Sequence, residues 1–200
     1  MQAFRFLLLL PAACLLSFTV TNPSPVKEYF SLPATLNYNK TNYQLSWSAH
    51  PSAVYYKQEY LPAGQTAAGF NNMLMIEAVT GQINAAEVVK AKINELEQRK
   101  QSDALANYQV IQNKATGEYL LDFIMSQSQG NKTALVEWNA YRYLPLKDKN
   151  GKKGILLLAI SRRAYGETVP AFLRQLKTER TKDIAALAAY SLPSVTLKTD

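Results

Sequence analysis

Side chains able to do chemistry are scarce in this chain, and the scarcity bounds its function. It holds one histidine, His50, and one cysteine, Cys14. A Ser-His-Asp relay would need His50 as its base. His50 sits in a turn-like stretch before Pro51, and the serine beside it lacks a Gly-x-Ser-x-Gly setting, so it is read as a surface turn residue. Zinc is poorly served by one histidine and no thiol in the body, which leaves carboxylates better suited to Ca²⁺. No Asp-x-Asp loop is present, and Gly64, Gly69 and Gly81 are wrongly spaced to cradle a phosphate. No catalytic set, metal site or cofactor is expected. The one chemistry left open is that of carboxylates. Glu59, Asp122 and Glu137 fall in expected strands, and Asp122 and Glu137 could meet across neighbouring strands. As a glycosidic dyad they would have to share a cleft about 5 to 10 Å apart. The competing reading makes them edge or surface residues.

Charge is unevenly distributed. Of the net +7, residues 1–140 contribute nothing, with ten basic and ten acidic side chains, while residues 141–200 hold twelve basic and five acidic. Arg142, Arg162, Arg163, Arg174, Lys177 and Arg180 are the candidate partner-binding residues within that excess. A basic face attracts a protein or an anionic envelope component, or it serves only as a solvated surface. Nucleic acid is the weakest partner, because no recognised binding motif accompanies the charge. Twelve tyrosines are present, seven of them (Tyr55, Tyr56, Tyr60, Tyr108, Tyr119, Tyr141 and Tyr143) in or beside expected strands. Most are read as core and cross-strand pairs. A subset beside Arg142 or Arg162-Arg163 would make a contact surface.

Residues 1–21 read as a secretory signal. Arg5 precedes the uncharged stretch Phe6 to Val20, and Thr21-Asn22-Pro23-Ser24-Pro25 makes a polar exit. The stretch is shorter than the ~20 residues of a membrane span, so no transmembrane span is expected in the mature chain. Two fates are open for Cys14. It is removed by cleavage near Thr19 to Thr21, or Pro11-Ala12-Ala13-Cys14 acts as a lipobox with Cys14 as the lipidation site. Either way the chain reads as exported, periplasmic or secreted.

Residues 22–40, rich in Pro, Ser, Thr and Asn, read as a linker, residues 41–192 as one domain and residues 193–200 as a tail. Tyr43–Ser48 and Ala53–Tyr60 read as a hairpin turning at His50-Pro51-Ser52. Thr66 is expected to cap a helix carrying Phe70, Met73, Leu74 and Ile76 to Ala78. Asn84 with Glu87 forms a capping box for a second helix reaching about Gln101. Residues 107–164 read as four strands in hairpins, and the apolar run Ile155 to Ile160 predicts a central strand covered on both faces. A last helix starts at Thr168-Val169-Pro170, carries Phe172, Leu173 and Leu176, and is expected to break near Thr181. Together these predict an α+β fold: a largely antiparallel sheet of about six strands with helices packed against it.

The Tyr- and Trp-rich hairpin, the exit Glu59-Tyr60-Leu61-Pro62-Ala63-Gly64-Gln65-Thr66, Phe70 and Met73 close behind it, and the later meander with a terminal helix resemble the PsbP/Mog1-like group. The resemblance covers residues 43–190 by element order and implies an αβα layout with a binding or accessory role. The expected function is that of an exported non-enzymatic binding or accessory protein of the cell envelope. A carboxylate-based envelope hydrolase and a lipoprotein or membrane-surface lipid-binding protein are the alternatives.

Overall fold

The computed structural model describes residues 26–130 and 132–199. The expected leader, its cleavage region and Cys14 lie outside the described residues. Four strands open the domain: β1 (Thr35–Tyr38), β2 (Thr41–Ser52), β3 (Tyr55–Pro62) and β4 (Asn72–Thr80). Helix α1 (Ala85–Arg99) then carries the chain from the middle of the sheet to its far edge. There β5 (Asn107–Asn113), β6 (Glu118–Gln129), β7 (Lys132–Lys147) and β8 (Lys153–Tyr165) meander back, and helix α2 (Val169–Ala189) closes the order. One eight-stranded sheet results, in the order β1-β2-β3-β4-β8-β7-β6-β5, with every pair antiparallel.

This overturns the expected fold class, an α+β sheet of about six strands with packed helices. The described residues are mostly sheet, with eight strands and two α-helices. Two segments account for the difference. The helix expected after Thr66 is β4, where Met73, Leu74, Met75 and Ile76 are all buried. Met and Leu favour helices intrinsically, but an unbroken apolar run suits a strand covered on both faces better than a helix with one apolar stripe. The segment read as a linker holds β1, whose Leu36 and Tyr38 point into the core while Thr35 and Asn37 face water. Asn39 and Lys40 both have positive φ, the two-residue hairpin turn that Asn tolerates. Tyr29, Phe30 and Leu32 are buried ahead of it. The expected tail packs beside them, with the Thr196 amide donating to the Phe30 carbonyl (3.0 Å) and the Lys198 amide to that of Tyr29 (2.9 Å).

Strand β8 shows why both faces are apolar. Leu156, Leu158 and Ile160 join the core beneath α2, with Trp138, Phe172, Leu176 and Leu187. Ile155, Leu157 and Ala159 join the core beneath α1, with Val89, Leu96, Leu121 and Phe123. Each buried Leu, Ile, Val or Phe among them stabilises the fold by about 1.5–3 kcal/mol before entropy is counted. Where β8 starts, a Cβ on Gly154 would sit 2.0 Å from the Val79 carbonyl oxygen, so only glycine lets β4 and β8 approach there. The α1 capping box forms, with Asn84 Oδ1 accepting from the Glu87 amide (3.0 Å) and Glu87 Oε2 from the Asn84 amide (3.2 Å). Helix α2 runs unbroken through Thr181, and the β2–β3 turn falls at Ala53-Val54, leaving His50 and Pro51 within β2.

Candidate functional site

The six candidate cations do not form one surface. Arg142 on β7 hydrogen-bonds Glu118 (3.0 Å) and donates to the carbonyls of Leu187 (3.2 Å) and Tyr190 (2.9 Å), capping the C-terminus of α2. Arg162 on β8 reaches up to Asp183 (2.6 Å) and Glu179 (3.1 Å) of α2. Arg180 reaches down from α2 to Asp122 on β6 (2.6 Å). These three therefore fasten α2 to the sheet. On the opposite face, Arg163 pairs with Glu137 and lies 4.0 Å from the centre of the Phe70 ring. Only Arg174 and Lys177 are exposed, and neither pairs with a described residue. Glu118, Asp122 and Glu137 come from the first 140 residues, so three of the six cations are paired in space with acids far away in sequence.

The carboxylate dyad is not assembled. Asp122 lies opposite Ala140 on the α2 face, where it accepts from the Trp138 indole (2.5 Å). Glu137 lies opposite Met125 on the α1 face and accepts from the Asn139 amide (2.9 Å). The sheet separates the two, so they share no cleft. Glu59 is tied to Lys57 (3.0 Å). His50 is a half-buried strand residue rather than a turn residue, stacked on Tyr56 with ring centres 3.9 Å apart. Its Nδ1 lies 2.9 Å from the Tyr55 carbonyl, which only accepts, so Nδ1 carries a proton and the ring faces no carboxylate on that side. Burial, then the charges of Glu77 and Glu137, push the Tyr141 phenol well above its ordinary value, and burial does the same to Tyr60 and Tyr143. Those phenols stay neutral and serve the core. Among the described residues no cluster of His, Cys, Asp and Glu could hold a metal, and no helix is long and apolar enough to cross a membrane.

What the structure does assemble is an edge. The two outer strands differ. β1 is four residues long, follows Pro33 and turns alternate side chains into the core, the usual protections of a sheet edge. β5 has none of these. It runs for seven residues (Asn107-Tyr108-Gln109-Val110-Ile111-Gln112-Asn113) without proline or charge, and pairs with β6 along its whole length without a bulge. Val110 and Ile111 are 37% and 45% exposed. The Tyr108 amide donates to the side chain of Asn107 (2.9 Å) rather than to β6. By the alternation of an antiparallel ladder, the amides and carbonyls of Tyr108, Val110 and Gln112 then point outward.

Beside this edge lies a cleft of about 300 Å³ between β5–β6 and α2, bounded by Ile111, Leu120, Ile184 and Ala188, with the Arg142–Glu118 pair at its end. A shallower cleft of about 560 Å³ lies across the C-terminal end of α2, over Leu144, Leu146 and Leu156. Sequence reasoning missed the edge because strand order is a tertiary property. The one local signal was the absence of charge from residues 107–113. No curated protein and no solved structure matches the chain, and no comparison links it to the PsbP/Mog1-like group. A protein-family model whose description names no activity matches residues 30–192, from Phe30 in the core to Leu192 beyond α2, and the chain belongs to that family.

Proposed function

We propose that this protein is an exported, non-enzymatic binding or accessory protein of the cell envelope that captures an extended protein segment on the outer edge of β5. Export rests on the composition of residues 1–25. The capture rests on one observation: a seven-residue, uncharged edge strand whose backbone groups at Tyr108, Val110 and Gln112 are directed away from β6, the Tyr108 amide meeting only the neighbouring Asn107 side chain. An incoming strand takes those hydrogen bonds whatever its sequence, and alternate side chains supply selectivity. The side chain it places beside Ile111 covers the cleft mouth over Leu120 and Ile184, which favours an aliphatic residue there. The partner is therefore an extended, weakly charged segment carrying one aliphatic anchor.

Val110→Pro tests this. The substitution removes an outward donor from the middle of the edge and leaves the β6 ladder intact, a place where a sheet tolerates proline. Immobilised uncharged heptapeptides with Leu at the third position, opposite Ile111 when the whole strand is paired antiparallel, are expected to bind the parent protein. Replacing that Leu by Asp, or Val110 by Pro in the protein, should weaken binding at least about tenfold while the circular dichroism stays unchanged. Equal binding by the proline variant would refute capture at β5.

A further inference from the structure

We infer that, when no partner segment is present, a second copy of this chain occupies the β5 edge, paired antiparallel about a two-fold axis through Val110. The inference rests on the reading of β5 as the recognition edge and names what competes for it. A two-fold axis at Val110, the middle of the strand, keeps all seven residues paired. It sets Asn107 against Asn113, Tyr108 against Gln112, Gln109 against Ile111 and Val110 against itself. The outward-directed backbone groups of Tyr108, Val110 and Gln112 then meet one another, as the hydrogen-bonded pairs of an antiparallel ladder require. An axis one residue further on would push Asn107 and Tyr108 past the end of the neighbouring strand.

Charge selects this contact. No ionised side chain lies in residues 107–113; the nearest in sequence, Lys114, falls opposite Ala106 of the other copy, and Lys100 of α1, which lies over the Tyr108 ring, is paired with Glu97 (3.0 Å). A contact through the exposed row of α2 would instead bring Arg174 and Lys177 of two copies of a basic protein together. Pairing also covers exposed apolar surface. Val110 meets Val110 on the α1 face, and each Ile111 lies beside a Gln109 at the cleft mouth on the α2 face. Because the β1 edge is short and protected, each copy offers one open edge. The contact is isologous and association stops at two rather than growing into a filament. Partner capture is then a competition, and rising protein concentration lowers the apparent affinity for a partner segment.

The test uses the full chain with Cys14→Ser and a single new cysteine at Val110→Cys. Residues facing each other across the axis have Cα atoms within the ~4.4–6.8 Å that a disulfide spans. Mild oxidation should give a disulfide dimer, whereas Val54→Cys, exposed in the β2–β3 turn, should remain a monomer. Sedimentation of the parent chain should show a concentration-dependent monomer–dimer equilibrium that Val110→Pro weakens at least about tenfold. Cross-linking at Ile111→Cys but not at Val110→Cys would overturn the stated axis. A parent chain that sediments as a monomer at every concentration, with no disulfide dimer, would overturn self-pairing. Peptides that bind while no dimer forms remove self-pairing alone. Dimers that form while no peptide binds remove partner capture and leave β5 as a dimer contact.

Discussion

Replacing Asp122 by Ala separates a structural carboxylate from a catalytic one, and its cost can be worked out from the contacts. The side chain is 1% exposed and accepts from two donors, the Trp138 indole at 2.5 Å and the Arg180 guanidinium at 2.6 Å. Removing it leaves the indole N–H of a residue that is itself 1% exposed without a partner, worth about 1–3 kcal/mol. The lost ion pair adds less than a wholly buried one, because Arg180 is 41% exposed and can turn into water. A total of about 3–4 kcal/mol follows, at the lower end of the range for breaking a buried pair. For a domain of this size that lowers Tm by roughly 6–16 °C. Urea and thermal unfolding of Asp122→Ala, Arg180→Ala and the double variant complete a double-mutant cycle. The double variant should lose less than the sum of the single losses by about 1 kcal/mol or more, since each single change strands the other partner. A loss below about 1 kcal/mol for Asp122→Ala would refute the structural role. So would a hydrolytic activity that Asp122→Asn abolishes while the fold survives.

Two further outcomes are expected. Arg174→Glu with Lys177→Glu changes two exposed, unpaired side chains, so stability should shift by no more than about 0.5 kcal/mol per site and heptapeptide binding at β5 should be unchanged; loss of binding would return recognition to the basic row. Burial alone would raise the Asp103 carboxyl, but the Ser126 hydroxyl and amide, Arg99 and the Leu105 amide hold it below its ordinary 3.8. A lowered folded-state value means the contribution is present above the unfolded value and is lost as pH falls through the folded one. Stability should therefore fall below about pH 4. Asp103→Asn should cost stability at pH 7 and flatten that acid limb in urea unfolding, and unchanged slopes would contradict the assignment.

The elements legible in advance were those whose instructions lie within a few residues. Asn84 and Glu87 announce α1 because both halves of a capping box sit three positions apart. The last four strands are marked by turn residues and alternation, and the unbroken run in β8 identifies a strand covered on both sides. Where local preference and tertiary burial disagree, local reading failed. The Met- and Leu-rich β4 has helix-forming residues but lies in the middle of a sheet with a core on each face. β1 is too short and polar to announce itself, and its burial comes from chain that folds back onto it.

The candidate site divides along the same line. Composition alone limits histidine- and cysteine-based chemistry to one residue of each kind, a property of the chain before it folds. The basic excess of the last third was equally real, yet four of its six candidate cations meet partners that only the fold brings near. Arg180 meets Asp122 across 58 positions and Arg142 meets the end of α2 across 45 and 48. No periodicity encodes such distances. They follow from strand order, which depends on how two meanders pair through β4 and β8. The same order leaves β5 uncovered at the rim. Caps, turns and composition act between neighbours and can be read along the chain. Which cations are neutralised and which edge stays open depend on contacts that exist only once the whole sheet has formed.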